Sequence, residues 1–186
     1  LPYKTTDFQP ITVIGVTPTV LVVHPSAKFR SLRELIAMSR QNPGSVNYAS
    51  SGVGSSGHLS MALVEGLAGI RMTHVPYKGA GDATSAVMKG EVAMLLTAIG
   101  AALAFIQNGT VIPIGVTAPK RSPVLPEVPT FAESGLPGYN VSVWYGIFAP
   151  AGSPKETIDK LHAEIVEVMR SPEVTKRINA LGLEVG

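Results

Sequence analysis

The chain has 186 residues, of which 45% are hydrophobic, enough to build the core of one ordinary domain or of two small lobes. Fifteen Lys and Arg against thirteen Asp and Glu give a net charge of +2, and no basic stripe matches the phosphate backbone of a nucleic acid. The sequence has no cysteine, which excludes disulfides, zinc–thiolate sites and thiol nucleophiles, and no apolar run long enough to span a membrane.

Strand and helix patterns alternate from the start of the chain. Two β-rich runs, ITVIGV and TVLVVHP, are separated by a Thr-Pro turn, and a helix with a capping box at Ser31 and Glu34 follows them. A short strand at VNYA, a helix at GHLSMALVEGLAG and a strand at RMTHVPY come next. The apolar spacing of this second helix predicts a buried face made of Leu59, Ala62, Leu63, Gly66 and Leu67.

The alternation continues with a helix at GDATSAVMKG, a strand at VAMLLTA, a helix at AALAFIQNG and a strand at VIPIGVT. A Pro-rich connection over 119–137 leads to a strand at YNVSVWYGIFAP and to two helices. The first of these helices has Ser153 as its predicted N-cap, with Pro154 at the first helical position and Glu156 completing a capping box. This order predicts an α/β fold with a mainly parallel sheet.

A G-x-G-x-x-G pattern occurs at Gly52, Gly54 and Gly57, between a strand and a helix. The acidic residue that a dinucleotide site needs about twenty positions later is missing, and the sequence contains no P-loop. The histidines do not have the spacing of a metal site, so we predict neither cofactor nor metal. A serine-dependent hydrolase that uses this loop together with His58 stays open as an alternative, although no nucleophile elbow is present.

The stretch from Asn47 to Ser60 has the chemistry of an anion site without a full positive charge. A turn rich in Ser and Gly that leads into a helix offers unpaired backbone N–H groups, hydroxyl donors and the positive end of the helix dipole. Such donors suit a carboxylate that binds reversibly. The same residues would also make an ordinary N-cap, and the residues alone favour neither reading.

A second polar loop, HVPYKGAGDA, follows the next strand and should lie at the same carboxyl edge of the sheet, where open α/β sheets bind ligands. Tyr77 could supply a flat wall or a hydroxyl, Lys78 a charge, and Gly79 and Gly81 backbone N–H groups. Thr97 ends the third such strand and is a candidate by position. A solvated lysine and a plain helix start would explain this loop equally well.

Four longer stretches carry a family resemblance: NYASSGVGSSGHL, HVPYKGAGDA, VTAPKRSPVLPEVPTFAESGLPGY and WYGIFAPAGSPKETIDKL. In this order they resemble the substrate-binding receptors of tripartite tricarboxylate transporters, the Bug-type extracytoplasmic solute receptors. The resemblance implies a type II periplasmic-binding-protein fold, in which two α/β lobes joined by crossing strands close about a hinge. It also implies a periplasmic location, no catalysis, a small carboxylate or amino acid as ligand, and membrane transporter subunits as partners.

Carried onto this sequence, the resemblance places 1–24 and 148–186 in a partial first lobe and 25–147 in the second lobe. Family members begin with a further βα unit and end with a further helix, so we expect a chain truncated at both ends. An inactive remnant is therefore another alternative. Relatives commonly have Asp or Asn near Thr97, which puts a polar contact at this position in doubt.

The residue chemistry and the resemblance agree that the two loops bind the ligand. We expect the protein to be a monomer that neither binds nucleic acid nor inserts into a membrane. The predicted ligand-binding residues are Ser50, Ser51, Gly52, Gly54, Ser55, Ser56, His58, Tyr77, Lys78, Gly79 and Thr97.

Overall fold

The computed structural model describes residues 2–180 and Leu183, and these residues form alternating strands and helices after a short 3-10 helix at Thr5–Asp7. The elements are β1 (Phe8–Val23), α1 (Leu32–Gln41), β2 (Asn47–Ser50), α2 (Ser56–Ala68), β3 (Thr73–Pro76), α3 (Ala80–Met88), β4 (Met94–Ala98), α4 (Ile99–Gln107), β5 (Ile112–Val116), β6 (Ser142–Pro150), α5 (Lys155–Arg170) and α6 (Pro172–Ala180).

The chain divides into two compact units. One contains the residues up to Thr17 and those from Val143 onward, and the other contains Pro18–Ser142. The second unit holds the helices α1 to α4 and both predicted ligand loops. The lobe limits expected from the resemblance, 1–24 with 148–186 and 25–147, stay a prediction.

The sheet has the strand order β3-β2-β4-β1-β5, and β6 also pairs with β1. Strand β2 is parallel to both β3 and β4, whereas β1 runs antiparallel to β4 and to β5. Strands β2 to β5 therefore share one direction, as the alternating pattern predicted, and β1 lies against them between β4 and β5. The carboxyl ends of β2, β3 and β4 meet at one edge.

The predicted Thr-Pro turn in the first β-rich region is wrong, because Thr17 and Pro18 lie inside the single long strand β1. Proline fixes its own φ near −65° and pushes the preceding residue toward an extended conformation, so this pair is compatible with a strand. The strand continues directly into its pairing with β4, where Thr19 lies opposite Ala98.

Two apolar clusters cover the two faces of the sheet in the second unit. Successive residues of β1 alternate between them: Leu21 joins the cluster that includes residues of α1 and α2, and Val22 joins the cluster that includes residues of α3 and α4. This alternation is the period of two expected for a strand buried on both faces. The sheet thus fixes which side chains of β2 lie against α2.

The predicted buried face of α2 is wrong. Leu59, Leu63 and Leu67 are exposed, with 59% of the surface of Leu59 accessible. The side that is buried consists of Ser60, Met61, Val64 and Ala68. Small and apolar residues occur on all sides of this helix, so its sequence contains two overlapping apolar stripes of helical spacing. Packing against the sheet decides which of the two stripes is buried.

The predicted N-cap of α1 is confirmed, but the second bond of its capping box goes to Arg30 instead of Ser31, and the predicted start of α5 is shifted. The Ser31 hydroxyl accepts the Glu34 N–H at 3.2 Å, and the Glu34 carboxylate accepts the Arg30 N–H at 2.6 Å. Helix α5 instead has Pro154 at its N-cap, because the Ser153 hydroxyl donates to the Pro150 carbonyl at 2.8 Å and leaves the helix uncapped by a side chain.

We expect Gly115→Ala to destabilise the protein, because an added Cβ would lie 2.7 Å from the ring of the fully buried Phe131. Overpacking of this kind should lower the free energy of unfolding by about 1–3 kcal/mol in urea titrations. Gly66→Ala is the matched control: no described atom lies within 4 Å of its added Cβ, and helix propensity should add about 1 kcal/mol. Equal effects of the two substitutions would contradict the prediction.

Candidate functional site

The two predicted ligand loops and the end of β4 lie together at the carboxyl edge of the parallel strands. The Tyr77 N–H donates to the Ser50 carbonyl at 2.9 Å, and a Cβ added at Gly52 would lie 3.6 Å from the Tyr77 carbonyl oxygen. A Cβ added at Gly57 would lie 3.2 Å from the Leu96 carbonyl oxygen. These contacts hold the loop after β2 against the loop after β3 and the start of α2 against β4.

The first loop needs glycine for two different reasons. Gly52 and Gly54 have φ values of +134° and +80°, which side-chain-bearing residues rarely adopt. Gly57 is needed because of the close approach to β4 rather than because of its backbone angles. The G-x-G-x-x-G pattern is thus explained by a tight turn and by helix packing, without a dinucleotide.

The start of α2 presents hydrogen-bond donors that the described protein does not use. Ser55 is the N-cap, and its hydroxyl accepts the His58 N–H. The next two backbone N–H groups, of Ser56 and Gly57, have no acceptor among the described residues, and neither have the hydroxyls of Ser51 and Ser56. Three of these neutral donors, the two N–H groups and the Ser56 hydroxyl, belong to the first turn at the positive end of a 13-residue helix, and the Ser51 hydroxyl lies in the loop before it.

Ser50, in contrast, uses its hydroxyl inside the protein. It is fully buried at the end of β2, and its Oγ lies 2.6 Å from His74 Nε2. The same oxygen accepts the Gly52 N–H at 3.1 Å and lies 3.0 Å from the Gly52 carbonyl oxygen. The structure therefore places Ser50 beneath the loop, where it shapes the turn.

His58 also supports the loop from inside. Its Nδ1 accepts the Gly54 N–H at 3.0 Å, and its ring stacks on that of His74 with the centroids 4.0 Å apart. His74 stacks in turn on Tyr48 at 5.0 Å. The site prediction did not include His74, because its place beside Tyr48 follows from the register of β2 and β3 and no spacing in the sequence reveals it.

The environment of His74 disfavours its charged form. Burial lowers the pKa of His74, the neighbouring His58 lowers it further, and Glu65 acts in the opposite direction. Burial also raises the pKa of Tyr48 to about 12, with a contribution from Glu65, so the phenol stays neutral. His74 and Tyr48 are therefore uncharged at neutral pH.

The second loop is more open. Tyr77 is half-buried, Lys78 is exposed and takes part in no ion pair within the described chain, and Gly79 is the N-cap of α3 with φ +154°. Thr97 lines a cavity of about 400 Å³ together with residues of α3 and α4, among them Thr84 and Phe105. Small, hydroxyl-bearing and large apolar side chains line this cavity, and none of the lining residues is charged.

The geometry does not assemble the hydrolase that the sequence left open. The hydroxyl near His74 belongs to Ser50, which is buried, and His58 Nδ1 is occupied by the Gly54 N–H.

Among residues 2–180 and Leu183, no group of three or more His, Asp or Glu could hold a metal ion. None of the helices described is long and apolar enough to cross a membrane.

Comparison with known proteins places this chain in a family. A sequence model described as "Tripartite tricarboxylate transporter family receptor" matches residues 1–186. The chain belongs to this family. A protein encoded in the tcbD-tcbE intergenic region of a Pseudomonas sp. is 39% identical to it over 99% of the chain, and BugT of Bordetella pertussis is 34% identical over 98%. The chain spans about 55% of these two relatives.

Solved structures of similar proteins have the same fold as this chain. MatC from Rhodopseudomonas palustris with bound malate matches with a TM-score of 0.90 and 31% identity, and an R. palustris protein with adipate matches with 0.89 and 34%. The matches cover 99–100% of this chain and 62–63% of the solved chains. The predicted α/β fold of the periplasmic binding proteins is confirmed.

We expect Ser50→Ala to lower the free energy of unfolding by about 1–3 kcal/mol, because it leaves the Gly52 N–H and His74 Nε2 without their buried partner. Ser51→Ala is the adjacent control: its side chain is exposed, so the change should stay within about 0.5 kcal/mol. Chemical denaturation of both variants measures the difference. The role assigned to Ser50 is wrong if the two variants unfold at the same denaturant concentration.

Proposed function

We propose that this chain belongs to a periplasmic solute receptor that captures a small carboxylate and delivers it to the membrane subunits of a tripartite tricarboxylate-type transporter, without catalysing a reaction. The observation that carries the proposal is the group of unused donors in the first loop and at the start of α2: the N–H groups of Ser56 and Gly57 and the hydroxyls of Ser51 and Ser56. Family membership and the acids named in the two related structures support it.

A carboxylate fits these donors chemically. Its two oxygens can accept hydrogen bonds from adjacent N–H groups, and the helix dipole adds about 0.3–1 kcal/mol in favour of a negative charge at this end. The segment from Ser50 to Gly57 contains no Lys or Arg. The ligand is therefore held by hydrogen bonds rather than by an ion pair in this loop, which suits a receptor that must release what it binds.

The predicted site residues take different roles in this proposal. Ser51, Ser56 and the Gly57 N–H bind the carboxylate, and Tyr77 and Lys78 line the neighbouring loop. The remaining predicted residues of the first loop, with Gly79 in the second, hold backbone geometry; they are Ser50, Gly52, Gly54, Ser55 and His58. Thr97 belongs to the α3–α4 cavity, where its hydroxyl would meet a more distant part of the ligand.

The periplasmic location and the transporter subunits rest on the family. Structures with similar folds are described as a periplasmic transporter and as the periplasmic binding protein BugD. The family description names a receptor of a transporter family, and this supports the proposed delivery of the ligand to membrane subunits.

We expect isothermal titration calorimetry to detect binding of a small dicarboxylate, with malate and adipate as the first probes. The uncharged diamides malamide and adipamide are matched controls, because they keep the carbon skeleton and lose the ionised oxygens that strengthen each hydrogen bond. Equal binding of acids and diamides would contradict a carboxylate site.

A proline tests the backbone donors directly. Ser56 is the first residue of α2, and Ser55 before it is extended with ψ 160°, the conformation that precedes proline most readily. Ser56→Pro should therefore keep the helix and remove one N–H and the hydroxyl, whereas Ser56→Ala removes the hydroxyl alone. Hydrogen bonds to a charged group contribute about 1.5–3 kcal/mol, so Ser56→Pro should bind the acid about tenfold to a hundredfold more weakly than Ser56→Ala. Equal affinities would show that the Ser56 N–H does not bind the ligand.

A further inference from the structure

The stacked histidines beneath the first loop differ in what a proton would do to them. His58 accepts the Gly54 N–H at its Nδ1, so the neutral ring carries its hydrogen on Nε2. A second proton would have to enter at Nδ1 and would break the contact that holds Gly54. Protonation of His58 therefore opposes the geometry of the loop.

His74 can gain a proton while every hydrogen bond beneath the loop is kept. When the neutral ring carries its hydrogen on Nδ1, the Ser50 hydroxyl donates to Nε2 across 2.6 Å. When Nε2 carries a proton, it donates to Ser50 Oγ, and the Ser50 hydrogen turns to the Gly52 carbonyl oxygen at 3.0 Å. The Gly52 N–H donates to Ser50 Oγ in both states. Ser50 thus acts as a relay with one hydrogen and two acceptors.

We propose that His74 is the positioning residue of the carboxylate loop and that it takes up a proton when the anion binds, so that the receptor holds its ligand more tightly as the pH falls. The inference rests on the proposed function. It requires a carboxylate of the ligand to bind at the first loop, whose turn His58 and His74 support through Gly54 and Ser50.

The surroundings of His74 determine whether binding of the anion adds or removes a proton. The titratable groups that act on it are Tyr48 of β2, which stays neutral, and His58 and Glu65 of α2. Burial and His58 hold the pKa of His74 below its ordinary value, so the ring is neutral in the free protein at pH 7. A bound carboxylate favours the charged ring and raises the pKa of His74. Affinity therefore increases as the pH falls from above the pKa of the bound state toward that of the free state.

The pair also limits the uptake to one proton. Two charged imidazoles with centroids 4.0 Å apart would repel each other, and the second proton would release Gly54. Glu65 forms no ion pair with His74 in the described part of the chain, and its Oε1 accepts the Met72 N–H at 2.6 Å.

The test is calorimetry of the purified protein with malate and with adipate between about pH 6 and pH 8, where the carboxyl groups of both acids are largely ionised. Each titration is repeated in two buffers of different ionisation enthalpy, which gives the number of protons taken up. Each pKa unit by which the ligand raises His74 corresponds to about a tenfold gain in affinity at the acid end. We expect wild-type protein to bind up to one proton per ligand and to tighten about threefold to tenfold at pH 6.

His74→Gln keeps a polar group beside Ser50 and removes the titration, so its affinity should not change with pH. His162→Gln removes an imidazole that instead contacts the Ile11 carbonyl, and it should behave like wild type. A circular-dichroism melt establishes that both variants fold. If His74→Gln does not fold, ¹⁵N spectra of the wild-type imidazoles decide: the ring of His74 should become charged on addition of malate at pH 6.

Binding that does not change with pH, proton uptake that persists in His74→Gln, or charging of His58 instead of His74 would each overturn the inference and leave the proposed function intact. A failure of all acids to bind at any pH would overturn the proposed function, and this inference with it.

Discussion

A single buried hydroxyl organises the candidate site. Ser50 ends β2 with no exposed surface, and its Oγ joins the turn at Gly52 to the ring of His74. Its carbonyl accepts the Tyr77 N–H and so ties the first loop to the second. A buried polar group is costly unless it is paired, so this network favours one loop conformation over its alternatives. The exposed donors at the start of α2 follow this loop in the chain.

The direction of the strands explains why the donors gather at one edge. Strands β2, β3 and β4 are parallel, so the loops that follow them emerge side by side. β1 runs against them, and the buried hydroxyls of Thr19 and Thr117, 2.8 Å apart, join it to the residue after β5 at this same edge. An anion site built on rigid strand ends needs little ordering when the ligand arrives, which preserves the binding free energy of each hydrogen bond.

The sequence revealed most of the architecture because turn and cap signals are local. The Ser31 cap, the glycines of the first loop and the alternation of strands with helices each depend on neighbouring residues. The wrong predictions depended on tertiary choices. The exposed leucines of α2 have the same helical spacing as its buried side, and the Thr-Pro pair in β1 fits a turn or a strand equally well.

His74 is the instructive omission. Nothing near it in the chain indicates a role, and its contacts with Ser50 and His58 cross 24 and 16 positions of sequence. Only the register of β2 with β3 brings these rings under the loop. Conversely, Ser50 and His58 were predicted as ligand contacts from the chemistry of the loop and the family resemblance, whereas in the structure their polar atoms bond to the loop itself and to His74.

The loop after β2 contains glycine positions that do not tolerate a side chain and exposed positions that do. A side chain at Gly52 or Gly54 would strain the backbone, and one at Gly57 would press on the Leu96 carbonyl. Val53, between the first two, is 78% exposed. Lineages that acquire new substrates could vary this position and its exposed neighbours freely while inheriting the glycines unchanged, so a library for altered ligand preference should be concentrated there.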